Sequence, residues 1–338
     1  MTKAIIDDVA ELAGVSIKTV SRVVNNEPNV RPAMREKVLN AIAQLDYRPN
    51  MSARSLAGNR SYLLGLLYGT PSAHYVLDIQ EGVLATCRPQ RYELIVHPCN
   101  HQDANLIEDI SALVQNSRID GVILTPPLSD NIELLHALKQ MSVPFVRVAP
   151  TLNKGLSAYV ETNDRDASYE MTCKLIALGH SRIGFIGGHP DHRAVGLRFE
   201  GYQAAMLDNK IRPSADWIAT GDSSFDSGVL CARQLLQVEP RPTAIFAAND
   251  EMAAGVILVA HQMGIAVPAD LSIAGFDDTP VAHQIWPALT TIRQPIQDMA
   301  KNATELLIKQ LKKSASPLSA SMLPSLIITR ESTGRAPQ

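Results

Sequence analysis

The sequence has few cysteines, few aromatic residues and no long apolar run. Its 338 residues include four cysteines without a CxxC spacing, Cys87, Cys99, Cys173 and Cys231. This scatter favours reduced core residues over a disulfide framework or a zinc site. No apolar run reaches the ~18 residues that a membrane span needs. The first residues are polar and amphipathic and do not resemble a signal peptide, so we expect a cytoplasmic protein.

The short motifs of common enzyme classes are also missing. No phosphate-binding lysine loop, GxSxG turn or HExxH helix is present, and residues 184–188 lack the GxGxxG spacing of a dinucleotide site. His189 and His192 form an HxxH pair in a loop, where a solvated turn is favoured over a metal site. Asp277 and Asp278 are adjacent, so their side chains diverge. We expect neither an enzyme, nor a cofactor, nor a bound metal.

Charge is distributed unevenly along the chain. The formal net charge is −3, yet residues 1–60 carry nine lysines and arginines against six acidic residues. Residues 61–338 carry 22 cations against 28 anions. A basic N-terminal segment on an acidic body suits a protein that meets a phosphate backbone through one part only.

Residues 5–25 predict two short helices with a turn between them. Gly14 lies in the turn, where a residue without Cβ can take positive φ. Ser16 is a good N-cap for the second helix. The residues expected to face inward are Ile5, Val9, Leu12 and Ala13 on the first helix and Val20, Val23 and Val24 on the second.

The outer face of the second helix carries hydrogen-bond donors, two cations and one isoleucine. These residues are Ile17, Lys18, Ser21, Arg22 and Asn25. Such a face suits the major groove of DNA. The alternative is an ordinary helical hairpin with a polar outside.

Three runs in this stretch, DVA at 8–10, AGVS at 13–16 and TVSRVVN at 19–25, resemble the helix-turn-helix of the lactose-repressor (LacI/GalR) family of transcription regulators. The resemblance continues through YRPN at 47–50 and ARSLAG at 53–58, and then over nearly the whole chain. It implies base-edge hydrogen bonds from Lys18 and Arg22 and an apolar contact from Ile17. The phosphate-contact candidates are Ser16, Thr19, Ser21, Asn25 and Arg31.

The family resemblance divides the chain into a DNA-binding head at 1–46, a hinge at 47–60 and an effector-binding and dimerisation body at 61–338. A third head helix is expected over 32–45, with Met34, Val38, Ile42 and Leu45 inward; Arg31 stands where the family usually has a capping Ser or Thr. In the family the hinge becomes a helix only on operator DNA, and Ala53 and Leu56 match residues that read the minor groove. A flexible linker is the alternative.

After residue 60, apolar strand-like runs alternate with amphipathic helices, such as 167–178 and 295–311. The alternation predicts an α/β body with parallel sheets and two similar subdomains. The family's body resembles periplasmic sugar-binding proteins, with two lobes joined by three crossing strands and a ligand cleft between them. The predicted strands are 63–68, 93–98, 121–125, 145–149, 159–162, 183–187, 217–220, 244–248, 272–276, 289–293 and 325–329.

Several polar residues follow the predicted strands of the second series. Residues 196–202 resemble the family's GxRxxG[YF] element, whose arginine, here Arg198, holds effector hydroxyls or carboxylates. Asn249 and Asp250 match family effector contacts, although Asp250 could simply cap the next helix. Asp277 can accept from two sugar hydroxyls, and Gln294 matches a further contact.

Aromatic rings can cover the apolar face of a sugar. Tyr75, Phe225 and Trp286 are candidates, with a place in the core as the alternative for each. Ala149 stands where some sugar-binding relatives have an aspartate, which argues against transferring their sugar identity directly.

The resemblance to the family implies a homodimeric transcription regulator that represses carbohydrate-utilisation genes. Its partners would be double-stranded operator DNA and a small sugar or glycoside effector. One alternative is a purine- or nucleoside-responsive regulator of the same architecture. Another is a sugar-binding transport protein, against which the DNA-reading head and the polar N-terminus argue.

Overall fold

The structure is a computed structural model that describes residues 4–24, 29–47, 60–69, 72–313 and 318–337. The chain divides into two units, Met1–Tyr62 and Leu63–Gln338. Among the predicted DNA contacts, Asn25, Ala53 and Leu56 lie outside the described residues, as does most of the predicted hinge.

The first unit contains three helices, α1 (Ile6–Ala13), α2 (Ile17–Val24) and α3 (Pro32–Gln44). Gly14 ends α1 with φ of 64°, which confirms the predicted left-handed turn. The Ser16 hydroxyl accepts the Thr19 N–H at 3.2 Å and so caps α2 as predicted. Arg31 precedes α3 and makes no side-chain capping bond, so the first turn of α3 relies on Pro32, which has no N–H to satisfy.

Small residues form the core of the head. Val9, Val20 and Val38 are fully buried, one from each helix. The prediction that Ile5, Leu12 and Met34 face inward was wrong, because they are 56%, 47% and 39% exposed. Helices of two to four turns meet along narrow contact lines, so residues at the flanks of the predicted faces stay in solvent. The other buried residues of this core are Ala10, Ala13, Val23, Ala41 and Tyr47.

The second unit contains two parallel sheets and an antiparallel strand pair. The first sheet has the order β11-β5-β4-β3-β1-β2 and the second has the order β7-β6-β8-β9, while β10 pairs with β12. The strands are β1 (Leu63–Tyr68), β2 (Glu93–Pro98), β3 (Gly121–Leu124), β4 (Phe145–Val148), β5 (Ala158–Thr162), β6 (Ile183–Gly187), β7 (Ile218–Thr220), β8 (Ala244–Ala247), β9 (Ser272–Ala274), β10 (Thr291–Arg293), β11 (Ala320–Leu323) and β12 (Leu326–Ile328).

Helices connect the strands and cover the sheets, as expected for parallel pairing. They are α4 (Ala73–Gln90), α5 (Leu106–Ser117), α6 (Ile132–Gln140), α7 (Asp164–Ala177), α8 (Arg193–Asp208), α9 (Phe225–Leu236), α10 (Asp250–Gln262), α11 (Val281–Gln284) and α12 (Ile296–Leu311). Within the described ranges, none of them is long and apolar enough to cross a membrane.

The predicted α/β body with parallel sheets is confirmed. Each predicted strand is present, several of them one or two residues shorter than expected. Ala320–Leu323 was missed because this strand lies at a sheet edge and alternates exposed with half-buried residues, so it lacks an apolar run.

The chain passes three times between the two sheets. It leaves the first sheet after β5 and enters α7, returns from β10 into α12, and leaves again from β11 into β12. α12 packs on α4 and on the first sheet. We call the part around the first sheet the first lobe and the part around the second sheet the second lobe. The first and third crossing segments lie side by side, since the Ser325 N–H donates to Asn163 Oδ1 at 2.7 Å.

Candidate functional site

A small cavity lies where strands of both lobes end near the crossing segments. It encloses about 60 Å³, space for roughly five water molecules. This is the position at which open parallel sheets bind ligands. The lining residues are Ser72, Tyr75, Pro126, Ala149, Asp164, His192, Ala194, Val195, Arg198, Ser223, Asn249, Asp277 and Gln294.

Arg198 is the central residue of the site. Its guanidinium is buried and lies over the Phe276 ring, 3.7 Å from the ring centroid. Nε donates to Asp164 Oδ1 at 3.2 Å, while Nη1 donates to the Ala248 carbonyl and lies 3.7 Å from Asp277 Oδ1. A buried cation is thus held between two buried carboxylates, which compensates part of the cost of burying each charge.

Gly201 explains why Arg198 reaches Asp164. A Cβ at Gly201 would lie 2.1 Å from the Arg165 carbonyl oxygen, so only glycine allows α8 to approach the first turn of α7 this closely. The second glycine of the GxRxxG element therefore has a packing role. A Cβ at Gly196, the first glycine, would meet nothing within 4 Å.

The polar side chains around Arg198 form a closed network. Gln294 Nε2 donates to Asp277 Oδ1 at 2.6 Å, and the Thr162 hydroxyl lies 3.0 Å from Asp164 Oδ2 and 3.5 Å from Gln294 Oε1. Thr162, Asp164 and Gln294 belong to crossing segments, whereas Asp277 follows β9. The network therefore joins the connections between the lobes to the wall of the cavity.

Burial dominates the electrostatics of the cavity. It raises the pKa of Asp277 to about 6, even though Arg198 and the Gln294 amide favour the charged form. Burial and the nearby Asp277 carboxylate raise the pKa of Tyr75. The pKa of His192 is lowered to about 4 by burial and by the neighbouring His101. Around neutral pH, Tyr75 and His192 are therefore uncharged, and Asp277 is mostly ionised.

Three non-glycine residues of the cavity wall have positive φ. The values are 47° at Ala149, 74° at Ser223 and 112° at Asp277. A positive φ costs free energy in a residue that has a Cβ, so it persists only where the surrounding contacts hold the backbone in that conformation. Each of the three follows a strand or its connecting turn, so the fold directs these backbone segments at the cavity.

Five of the seven predicted effector residues line one cavity. They are Tyr75, Arg198, Asn249, Asp277 and Gln294. Asn249 is also the N-cap of α10, since its Oδ1 accepts the Met252 N–H at 3.0 Å and its amide donates to the Ser223 carbonyl at 2.7 Å.

Asp250 and Phe225 are not among the cavity residues. Asp250 is fully buried and accepts hydrogen bonds from the Thr279 N–H and from the Thr291 hydroxyl. Phe225 is the first residue of α9 and is 37% exposed. Trp286, another aromatic candidate, is 77% exposed.

Asp164 and His192 line the cavity but were not predicted from the sequence as ligand contacts. A signal for Asp164 was present. The run TND at 162–164 leads from the end of a strand into a helix, as the run AND does at 248–250. For His192 the local HxxH pattern indicated only a turn.

The outer face of α2 carries the predicted DNA contacts. Ile17, Lys18 and Arg22 are exposed, with Ile17 47% exposed, while Val20 and Val23 are buried on the opposite side. An exposed isoleucine beside two cations on one helix face matches the combination of apolar and hydrogen-bonding contacts that the major groove accepts. Thr19 and Ser21 are half-buried at the edge of this face, and Ser16 and Arg31 are exposed.

Comparisons with known proteins agree with both units. Residues 5–50 match the family model of bacterial regulatory proteins of the lacI family, and residues 173–333 match the model of the periplasmic binding protein-like domain. Catabolite control protein A of Priestia megaterium is 34% identical over 333 residues, which cover 96% of this chain and 98% of that protein. The HTH-type transcriptional repressor PurR of Vibrio parahaemolyticus is 35% identical over 314 residues, covering 91% and 92%.

Solved structures show the same architecture. The lac repressor dimer bound to operator and the anti-inducer ONPF has a TM-score of 0.80 and 29% identity, covering 98% of this chain and 100% of that chain. The complex of the transcriptional regulator CelR with cellobiose has a TM-score of 0.76 and 28% identity, covering 97% and 99%.

Proposed function

Because this chain belongs to the lacI family of bacterial regulatory proteins, we propose that it represses carbohydrate-utilisation genes under the control of a small sugar or glycoside. Its role as a transcription regulator follows from its family membership, because the relatives reported above are transcription regulators.

The head would read operator DNA through α2, with one half-site for each subunit of a homodimer. Lys18 and Arg22 supply hydrogen bonds to base edges, and the exposed Ile17 side chain supplies an apolar contact, for example to a thymine methyl group. Ser16, Thr19, Ser21 and Arg31 surround this face and serve as phosphate contacts. A gel shift with operator DNA separates this function from that of a transport protein.

The polar network around Arg198 is the observation that carries the sugar proposal. It brings a guanidinium, two carboxylates and two side-chain amides to one small cavity, with Tyr75 as an aromatic wall. Carboxylates and amides bind vicinal hydroxyls through several directed hydrogen bonds. The CelR complex with cellobiose supports a carbohydrate in a body of this architecture.

The size of the cavity implies that binding changes the structure. Ligand pockets usually measure ~300–1,000 Å³, so about 60 Å³ is too small for a sugar ring. A neighbouring cavity of about 530 Å³ shares His192 and Val195 and is lined by Phe185 and Phe199, which suits the apolar aglycone of a glycoside. Entry of a sugar would separate the lobes at the crossing segments.

This movement supplies a mechanism for regulation. The network that meets the ligand includes Thr162, Asp164 and Gln294 of the crossing segments, so the ligand favours one angle between the lobes over another. An effector shifts a two-state equilibrium only by its differential affinity for the two states. By linkage, operator DNA must change effector affinity by the same factor by which effector changes DNA affinity.

The test is calorimetric titration of the full chain with a panel of mono- and disaccharides, glycosides, nucleobases and nucleosides. We expect binding of one carbohydrate, an affinity loss of about 1–3 kcal/mol in Gln294→Ala, and no loss in the matched control Phe225→Ala. Binding of a purine instead would support the alternative regulator. Equal effector affinity with and without operator would overturn the allosteric proposal.

A further inference from the structure

A cluster of two histidines and one aspartate joins the two lobes outside the Arg198 network. His101 lies in the turn after β2 of the first lobe, and His189 and Asp191 lie in the loop after β6 of the second lobe. His101 Nε2 is 3.1 Å from Asp191 Oδ2, and His189 Nδ1 is 3.5 Å from the same oxygen. One ligand atom from each residue lies within 4.8 Å of the other two.

The spacing of these atoms suits a transition metal. Tetrahedral Zn²⁺ has ligands at ~2.0–2.1 Å, which places neighbouring ligand atoms ~3.3 Å apart. Two of the three separations between the ligand atoms, 3.1 and 3.5 Å, bracket that value. Nδ1 of His189 accepts the Asp191 N–H at 3.2 Å, so this nitrogen is unprotonated, and a metal bound to it would replace that hydrogen bond.

The surroundings of the cluster are also compatible with a metal. Asp191 is half-exposed, and the side chain of His101 is 21% exposed, so an ion can enter from solvent. The Gln102 amide donates to Asp191 Oδ2 at 3.4 Å and helps to orient the carboxylate. The His101 ring lies edge-on to His192, which lines the cavity. The cluster therefore lies next to the proposed effector site.

We propose that His101, His189 and Asp191 form a divalent transition-metal site, suited to Zn²⁺, that fastens the first lobe to the second lobe. Two imidazole nitrogens and one carboxylate oxygen are a common ligand set for zinc, with the fourth position left to water. A metal bound only when the lobes are close stabilises that arrangement by mass action. It would therefore oppose the separation of the lobes that sugar entry requires.

Zinc titration of the metal-free full chain tests the site. We expect one Zn²⁺ for each chain by calorimetry, a rise in melting temperature, and a decrease in affinity of about 10- to 100-fold or more in His101→Ala and in Asp191→Asn. His261→Gln removes an exposed histidine of α10 far along the chain from the cluster, and it should bind Zn²⁺ like the unaltered protein.

His101→Ala decides whether the metal joins the lobes. If this variant binds Zn²⁺ as tightly as the unaltered chain, the ion is held by the second-lobe loop alone and the bridging site is wrong. Absence of stoichiometric binding, or equal losses in His261→Gln, would also overturn the proposal. The titration uses Zn²⁺ without sugar or DNA, so its result does not depend on the identity of the effector.

Discussion

Arg198 Nε donates to Asp164 Oδ1 at 3.2 Å and joins α8 to the first residue of α7. Asp277 lies on the other side of the same guanidinium, at 3.7 Å. The arginine is therefore part of the fold of the second lobe as well as a proposed ligand contact. Substituting Arg198 will therefore change both the stability of the lobe and the proposed binding of the ligand.

Arg198→Ala is expected to destabilise the body. The change leaves Asp164 and Asp277 buried without their cation, and breaking a buried pair in this way costs about 3–5 kcal/mol. Urea unfolding of the variant measures the loss. Arg165→Ala removes a largely exposed arginine near the same helix end and should cost less than about 1 kcal/mol. Similar stabilities of the two variants would contradict the network described for Arg198.

Asp277→Asn is expected to gain stability relative to the unaltered protein as pH rises. The Asp277 carboxyl has a pKa of about 6 when folded and 3.8 as its ordinary value, so the folded state binds more protons between these values. The contribution of Asp277 to the free energy of unfolding therefore falls through this window by at most about 3 kcal/mol. An asparagine does not titrate, so the difference between the two proteins should change between pH 4 and pH 7.

Urea unfolding at several pH values measures this difference. The charged and titratable groups that interact with the carboxyl include Arg198, Asp164, Glu251, Tyr75 and the buried Asp250, whose own pKa is raised by burial and by Asp277. Asp298→Asn, at a largely exposed carboxylate of α12, is the control for the loss of a carboxylate outside the cavity. A pH-independent effect of Asp277→Asn would show that the burial of Asp277 does not perturb its ionisation.

His180 is expected to make the protein less stable in mild acid. The imidazole is buried, with Nδ1 2.9 Å from the Thr243 hydroxyl and Nε2 3.1 Å from the Gly334 carbonyl. Burial lowers its pKa from 6.5, so the unfolded chain binds the proton first and stability falls as pH decreases below about 6.5. His180→Gln should lose this component in melting experiments from pH 8 to pH 5, whereas His261→Gln should keep it.

Arg22→Ala is expected to weaken operator binding by about 1–3 kcal/mol and to relax base preference at one position in each half-site. Arg22 is exposed on the outer face of α2, where an arginine can bond a guanine. Binding measured on operator and on random DNA separates the two roles. Arg31→Ala, at a proposed phosphate contact, should weaken both equally, and the same result for Arg22→Ala would make Arg22 a phosphate contact too.

Asp250 is expected to support the fold and not the ligand. Its carboxylate accepts from Thr279 and Thr291, and burial raises its pKa well above the ordinary value. Asp250→Ala leaves these donors unpaired and should cost about 1–3 kcal/mol in urea unfolding. Asp250→Asn keeps the shape of the side chain and one of its two acceptor oxygens, and it should cost less. A loss of effector affinity in Asp250→Asn would contradict this prediction and would indicate that Asp250 contacts the effector.

Local pattern was sufficient for much of the architecture. Gly14 and Ser16 predicted the turn of the head, and the structure shows positive φ at Gly14. Apolar runs predicted the strands. Both signals depend only on neighbouring residues within one element. The same patterns misplaced Ile5 and Leu12, since the width of a buried face depends on what packs against it. They also missed Ala320–Leu323, whose strand conformation comes from pairing with β5.

Two adjacent residues of the site show the same difference between what the sequence predicts and what the tertiary structure decides. The sequence identified Asn249 and Asp250 together, but only the tertiary structure separated them, directing Asn249 to the cavity and Asp250 into the core. Backbone direction at the end of a strand decides such a difference, and composition carries no information about it.

Contacts between distant residues were decided by the tertiary structure alone. The sequence by itself determined the family, the helix-turn-helix and the chemistry available at Arg198 and Asp277. It did not indicate that Asp164 faces Arg198, or that His101 of one lobe meets Asp191 of the other. Asp164 meets Arg198 because α7 packs against α8, and His101 meets Asp191 because the three crossing segments bring the two sheets together. Hydrophobic periodicity within a single helix or strand carries no information about either contact.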